Sequence, residues 1–500
     1  MTKRTNSKWG LSVLLLPLLL EACTVGPNYV KPETSLAPFH NKVVAQASTT
    51  PAAAAPAALD SWWTGFDDPM LATVVQRALD QNLDLAAALG RVQQARAAAK
   101  GAGAALLPTI DVSGGAAANR SSLRGPATGL LAQEPGFKRN YEDYSVGPSA
   151  SWEIDLFGGL RRGAKAAGAE ETAAEADRAG TRITVAADAA DAYLQICAYQ
   201  ARLAVAESQI ADDEHLLKIV HDRYAAGSSN GQEIAEAEAL LRQARASVPV
   251  LRIGLEQQLN RLDVLMGAQP GTYAQELGVV RDIPSIPVIQ KDAQPTDMLR
   301  RRPDIIAAER RLAASNERIG VAIADYYPKI SLSGALGFDS ISASNLFSHG
   351  AFAATGGSLI RWRLFDFGKV DAEVKQARGA NAEALAVYRQ TVLRAAEDVE
   401  NALVTLTQTQ LRVGEVQGQV DSLTRARNLA QQSYKAGSIP LTDVLNADTQ
   451  LLAARDALDS ERAGSARAAV AVFRALGGGW SPPAGIADTS GVTPKSVRGE

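Results

Sequence analysis

The chain has 500 residues, only 5% of them aromatic, and its 51 lysines and arginines nearly balance 54 aspartates and glutamates, for a formal charge of -3. A sequence this long can bury several cores, yet few aromatics and abundant alanine suit slim helices packed side by side better than a thick globule. The balance leaves no basic field to neutralise phosphates, which excludes nucleic acid as a partner, and four methionines and four scattered histidines make no soft-metal path.

Residues 1–22 carry Lys3, Arg4 and Lys8 ahead of an apolar run from Leu11 to Leu20, the pattern of an export signal. That run is too short to span a bilayer. Its ending, Leu20-Glu21-Ala22-Cys23, resembles a lipobox, so Cys23 is the expected lipidation site, and Thr24 behind it favours the outer membrane. Residues 23–59 read as a lipidated N-terminal tether that becomes rich in Ala, Pro, Ser and Thr. No run of 18 or more apolar residues follows the signal, so any membrane crossing must be a β-barrel.

The body of the chain is a tandem duplication. Trp152, Phe157, Gly158, Tyr224, Gly227 and Gly267 recur 210 residues later as Trp362, Phe367, Gly368, Tyr434, Gly437 and Gly477. Upstream the offset is 220, matching Pro108 with Pro328 and Asp84 with Asp304, which gives the first copy about ten extra residues in a tolerant loop. Each half reads helix, two strands, long helix, turn, long helix. The resulting segments are helices over 60–107, a β-hairpin over 108–157 and a long helical hairpin over 158–270. Residues 271–327 join the repeats and hold the first helix of the second copy. A second β-hairpin (328–367), a second helical hairpin (368–477) and a flexible tail (478–500) complete the chain.

Alternation marks the strands. Tyr144, Val146, Pro148, Ala150, Trp152, Ile154 and Leu156 form an apolar face against Ser145, Gly147, Ser149, Ser151, Glu153 and Asp155. The second copy has Ile330, Leu332, Gly334, Leu336 and Phe338, then Ile360, Trp362 and Leu364 against Arg361 and Arg363. Such lengths suit tilted membrane strands with a wet interior, although Pro148 deletes a ladder donor in mid-strand.

Residues 159–226 contain no proline and would reach roughly 100 Å as one helix. Ile196, Leu203, Ile210, Leu217 and Tyr224 fall every seven positions, as do Leu406, Val413, Val420 and Tyr434, with Arg427 as the one break. That spacing means helix-on-helix packing along a seam. The return helices repeat it through Ile234, Leu241, Val248, Leu255 and Leu262, and through Val444, Leu451, Leu458 and Val472. Both connecting turns place a glycine, Gly227 or Gly437, where a helix C-cap needs a left-handed residue. Cys197, on the first long helix, reads as a small buried thiol. Two strands per half give four per chain, which cannot close a barrel, so the protein must oligomerise. Two copies would supply 8 strands and three would supply 12.

Four blocks then resemble the outer-membrane efflux proteins of TolC and OprM type, in their lipoprotein, NodT-like branch: Cys23-Thr24-Val25-Gly26-Pro27-Asn28-Tyr29; Trp62-Trp63 with Phe66, Asp68-Pro69 and Leu71; Arg301-Arg302-Pro303-Asp304-Ile305; and the paired Tyr-x-x-Gly turns. The resemblance implies a mainly α chain with a membrane β-barrel. Specifically, it implies a homotrimeric channel-tunnel with a shared 12-stranded barrel, a long antiparallel α-helical barrel in the periplasm and a mixed equatorial domain that takes in the helices of 60–107 and 271–327. It implies passive efflux of small molecules through an outer-membrane, lipid-anchored duct. The turns Tyr224, Gly227, Tyr434 and Gly437 would contact a periplasmic adaptor that leads to an inner-membrane transporter of the RND or a related kind. The family gates at these tips through rings of acids. Glu233 stands where an aspartate is common, and Leu445-Asn446-Ala447-Asp448 replaces the usual Leu-Asp-Ala-Gln. The gate candidates are therefore Glu233, Thr442, Asp443, Asn446 and Asp448, and the same acids also suit helix N-termini.

Other polar groups read as scaffold. Asp212-Asp213-Glu214-His215 with His221 is a solvated face rather than a metal site, because neighbours on a helix point in different directions. Arg300-Arg301-Arg302 precedes a helix that starts at Pro303. Glu153 and Asp155, with Arg361 and Arg363, are expected to line the barrel lumen and to form salt bridges at its base. With no nucleophile, phosphate loop or zinc spacing, the sequence reads as neither an enzyme nor a cofactor binder. A trimeric coiled-coil lipoprotein with a structural or adhesive role explains the heptads but neither the strands nor the duplication. A periplasmic adaptor would show one helical hairpin rather than two.

Overall fold

The computed structural model describes residues 24–33, 37–41, 58–124, 135–288 and 299–481. The expected signal, Cys23, most of the tether and most of the C-terminal tail lie outside the described residues. The elements follow the duplication. The first copy has α1 (Pro69–Gln81), α2 (Leu83–Ala104), β1 (Thr109–Arg120), β2 (Asn140–Ile154), α3 (Gly159–Ala225) and α4 (Gly231–Leu265). The second has α5 (Pro303–Ala324), β3 (Lys329–Ser340), β4 (Phe352–Arg361), α6 (Lys369–Lys435) and α7 (Leu441–Ala475). Among the described residues no helix is long and apolar enough to cross a membrane.

Two compact units form: Met1–Pro32, Gln93–Ala173 and Glu309–Val387 make one, and Glu33–Val92, Ala174–Ala308 and Tyr388–Glu500 the other. The first holds the sheet, an antiparallel meander in the order β1-β2-β3-β4. Thr109 pairs with Ser151, Ile154 with Ile330 and Lys329 with Arg361. Pro148 is tolerated in an inner strand because the β2–β3 pairing is interrupted between Val146–Phe338 and Ser149–Ala335, so the proline owes no ladder bond there. At that interruption two glycines let the backbones approach: a Cβ on Gly337 would lie 3.1 Å from the Cα of Gly147.

Helices in this unit are fixed to the sheet by carboxylate caps. Asp155 accepts from the N–H groups of Leu160 (3.1 Å) and Arg161 (2.8 Å) at the start of α3, and Asp366 accepts from Gly368 (3.0 Å) and Val370 (2.8 Å) at the start of α6. The two tryptophans of the repeat do equivalent work, Trp152 donating to the carbonyl of Leu106 at 2.9 Å and Trp362 to that of Tyr326 at 3.0 Å. The segment just after Cys23 is also held. The Val25 N–H donates to Phe157 O, and the buried Arg162 donates to Gly26 O, Pro27 O, Asn28 Oδ1 and Glu317, all within 3.1 Å.

The second unit is built on a core of Trp62, Phe66, Leu71, Tyr193, Leu262 and Phe473, with Trp62 stacked on Phe473 at 5.4 Å between ring centroids. Asp68 caps α1 through the N–H groups of Met70 and Leu71 and also accepts from the Tyr193 hydroxyl at 2.7 Å. The Trp-Trp and Asp-Pro block of the sequence is thus a core and a helix start. Cys197 is a fully buried free thiol whose pKa burial pushes up to about 12, as a structural cysteine requires. Two arginines of the triplet are equally structural. Arg302 donates to the carbonyls of Ala475 (3.0 Å) and Ala395 (3.4 Å) and pairs with Asp398 and Asp304, both at 2.8 Å. Arg301 pairs with Asp60 at 2.8 Å.

Candidate functional site at the helical tips and the open sheet

The two long hairpins end alike. After α3, Gly227 takes φ +71, its N–H bonds Tyr224 O, and the Ser228 N–H bonds Arg223 O, both at 2.9 Å. After α6, Gly437 takes φ +75 with the matching bonds to Tyr434 O and Ser433 O. This six-to-one and five-to-two pattern satisfies the last carbonyls of each helix, and only glycine adopts that φ without strain. Asn230 then caps α4 by accepting from the Glu233 N–H at 3.0 Å.

Equivalent tyrosines have opposite fates. Tyr434 is 2% exposed and Tyr224 52%. Tyr434 sits over Leu216, Val220, Ala237, Leu441 and Val444 and ties the two tips together. Its hydroxyl donates to Glu233 at 3.0 Å, Ser229 donates to the same carboxylate at 2.6 Å, and Arg223 donates to Tyr434 O at 2.6 Å while its guanidinium lies 4.3 Å from the ring centre. Burial, with Glu233 beside it, pushes the Tyr434 hydroxyl up to about 12, so it stays a donor at any physiological pH.

Of the gate candidates at the tips, Glu233 is engaged in this junction, whereas Thr442, Asp443 and Asn446 are exposed on α7. Asp448 is not a free charge. It is 2% exposed and accepts from Arg427 at 2.6 Å, while the same guanidinium holds Asp212 at 2.8 Å. Asp448 therefore belongs to the packing between helices, and its burial argues against a place in a ring of exposed charges.

Two expectations for this layer are corrected. Asp213 does not share the solvated face of Glu214, His215 and His221: it is 2% exposed and accepts from Gln209 at 2.7 Å. Its other oxygen has no partner. Burial pushes Asp213 up to about 6; the Gln209 bond opposes, the Asp448 and Asp212 charges add, and Arg427 opposes. Arg427 is likewise no break in the seam, since it neutralises these acids where a leucine would leave them unpaired.

The expected salt bridges at the base of the sheet do not form within the chain. Strand β3 lies between β2 and β4, so Glu153 and Asp155 are two strands away from Arg361 and Arg363, roughly 10 Å. Asp155 instead pairs with Arg161 at 3.1 Å, and Arg363 is 3.6 Å from Glu373. Arg361 lies opposite Lys329 in the ladder. Sequence reasoning missed Arg162, Arg223 and Asp213, because nothing near them in the chain names their partners.

Among the described residues the sheet is open at both ends, since β1 and β4 each pair on one side only. The described residues thus hold duplicated helical hairpins with matched tips and a four-stranded sheet. A family model described as outer membrane efflux protein matches residues 74–268 and 295–478. The chain belongs to that family. It is 32% identical over 421 residues to the pyoverdine export outer membrane protein OpmQ of Pseudomonas aeruginosa, covering 84% of this chain and 87% of the relative. It is 30% identical to nodulation protein T of Rhizobium leguminosarum bv. trifolii, covering 93% and 97%. The solved outer-membrane channel OprN matches with a TM-score of 0.82 at 34% identity, over 92% of this chain and all of that one. This efflux protein is therefore an outer-membrane channel component, mainly α with a small antiparallel sheet, and its relatives are channels rather than enzymes.

Proposed function

We propose that three copies of this efflux protein close one pore, three four-stranded sheets giving a 12-stranded barrel that the paired helical hairpins continue as a periplasmic duct. The open sheet carries this reading. Unpaired backbone at bilayer depth costs several kcal/mol per group, so the missing neighbours must be supplied by other copies. Barrel diameter grows with strand number, and about eight strands leave an interior that side chains fill, so three copies suit a conduit better than two. The polar face that carries Glu153 and Arg361 would line the lumen, and Cys23 would carry the lipid.

The tips would be both gate and dock. Tyr434, Glu233 and Arg223 hold the two hairpins together, and threefold repetition would bring three copies of the exposed Asp443 towards one axis, where like charges repel in a salt-sensitive way. Exposed Tyr224 and the two glycine turns offer an adaptor a repeated aromatic and backbone surface, and the adaptor would pass small molecules on from an inner-membrane transporter of the RND or a related kind. One relative is named for pyoverdine export, which fits a small-molecule cargo energised elsewhere. Recording from the purified protein in planar bilayers tests the reading. Ion-conducting steps support it, and a protein that inserts but never conducts overturns it.

A further inference from the structure

Alternation sorts the sheet into two faces. Tyr144, Val146 and Trp152 of β2 share the apolar one, and the β1–β2 register puts Ile110, Val112 and Arg120 on the same side. Arg120 is thus a cation on the lipid side of the sheet. It is exposed and makes no ion pair among the described residues. Its height follows from the register. Arg120 pairs with Asn140, twelve residues along β2 from Trp152, which is roughly 30 Å for a strand tilted by about 40°. The apolar band of a barrel is about 25 Å tall between its aromatic girdles. With Trp152 at the inner boundary, Arg120 stands among the headgroups of the outer leaflet.

The turn beyond β1 adds Arg124 and Lys138, both exposed and without an ion pair among the described residues. Glu142, on the same face as Arg120, accepts from the Tyr144 hydroxyl at 2.8 Å, and Arg139 donates to Ser121 O at 3.1 Å. The second hairpin serves as an internal comparison. Offsets of 220 and 210 carry Arg120, Arg124 and Lys138 onto Ser340, Ser344 and Ser348. That end of the second hairpin instead packs Phe347 and Phe352 edge-on against Phe338. The three cations are therefore no requirement of the hairpin fold. Below Arg120, the small residues Ala118, Ala116 and Gly114 leave a shallow furrow down β1 towards Val112 and Ile110, which are 76% and 70% exposed.

We infer that Arg120, Arg124 and Lys138 bind the phosphate groups of an outer-leaflet glycolipid whose acyl chains lie along this furrow; this rests on the membrane-spanning sheet proposed above. Arginine and lysine hold phosphate through charge-assisted hydrogen bonds. Each such cation near an anionic membrane surface contributes roughly fivefold in affinity. Three of them suit a headgroup with two phosphate monoesters better than a phospholipid with a single diester.

The test is lipid binding to the delipidated full-length protein, read by native mass spectrometry, with conductance in planar bilayers measured on the same preparations. The probes are bis-phosphorylated lipid A, the same lipid stripped of both phosphates, and phosphatidylglycerol. Wild type should bind the first about tenfold more tightly than either of the others, and less tightly as salt rises. Arg120→Ala with Arg124→Ala and Lys138→Ala should weaken that binding roughly 100-fold. Arg91→Ala with Lys100→Ala and Lys435→Ala removes as much charge from the helices and should leave it unchanged. Equal binding of the dephosphorylated lipid, or undiminished affinity in the turn variant, overturns the site. Equal binding of phosphatidylglycerol overturns the choice of glycolipid. Arg120→Gln alone keeps the turn intact and should lose about fivefold; no loss in a variant that conducts like wild type also overturns the site. Wild-type protein that never conducts overturns the spanning sheet, and the site with it.

Discussion

Replacing Asp213 by asparagine isolates the cost of the buried acid between the long helices. The side chain is 2% exposed, with one oxygen bound by Gln209 and the other unpartnered. Its folded-state pKa stands at about 6, raised chiefly by burial, whereas an unfolded aspartate titrates at about 3.9. Below about pH 4 the group is neutral in both states, and the substitution changes little. Between about pH 4 and 6 the unfolded chain releases its proton while the folded chain keeps it, so wild-type stability falls as pH rises. Above about pH 6 both states are ionised, and the folded state carries a penalty of roughly 3 kcal/mol per copy at 1.36 kcal/mol per pH unit. Asparagine keeps the shape and the acceptor for Gln209 without the charge. Thermal unfolding in detergent, followed by circular dichroism across this range, should show Asp213→Asn equal to wild type at the acid end and more stable by roughly that amount above neutrality. A variant that is less stable near neutrality, or an advantage that does not change with pH, refutes the reasoning.

Arg427→Met removes the cation from the buried Asp448 carboxylate and should destabilise the fold by roughly 3–5 kcal/mol, with adding Asp448→Asn restoring part of it in the same melts. Tyr434→Phe deletes the hydroxyl bond to Glu233, worth roughly 1.5–3 kcal/mol for a charged acceptor, and should raise the open fraction in single-channel records; unaltered gating would remove Tyr434 from the gate. Arg302→Lys cannot span two carbonyls and two carboxylates at once, and should lower thermal stability by roughly 2 kcal/mol without changing conductance. Cys23→Ser should abolish incorporation of labelled fatty acid while the trimer still forms, and retained label in that variant would place the lipid elsewhere.

What could be read in the sequence was whatever depends on local period. Alternation placed β2, Gly227 and Gly437 placed the turns, and offsets of 210 and 220 placed the second copy, because each signal lies within a few residues or repeats. The polar layer escaped for the opposite reason. Seven-residue spacing marks apolar positions only, so Arg427 looked like a fault until Asp212, 215 residues away in the chain, was found beside it. Asp213 looked solvated because its neighbours on α3 are charged, whereas its burial is decided by other helices. At the base of the sheet the error was one of order: Glu153 and Arg361 share a polar face, but a strand intervenes, and helix N-termini take Asp155 first. Tyr224 and Tyr434 hold equivalent places in the repeat and differ in burial because an apolar cluster from Leu216 to Val444, with Arg223 and Glu233, gathers round the second of them.

The measurement closest to the central claim is native mass spectrometry of the detergent-extracted protein, paired with single-channel recording on the same preparation. Three protomers with discrete conductance steps are predicted. A monomer that conducts, or a trimer whose β4 and β1 edges both stay open to hydrogen exchange, would contradict it.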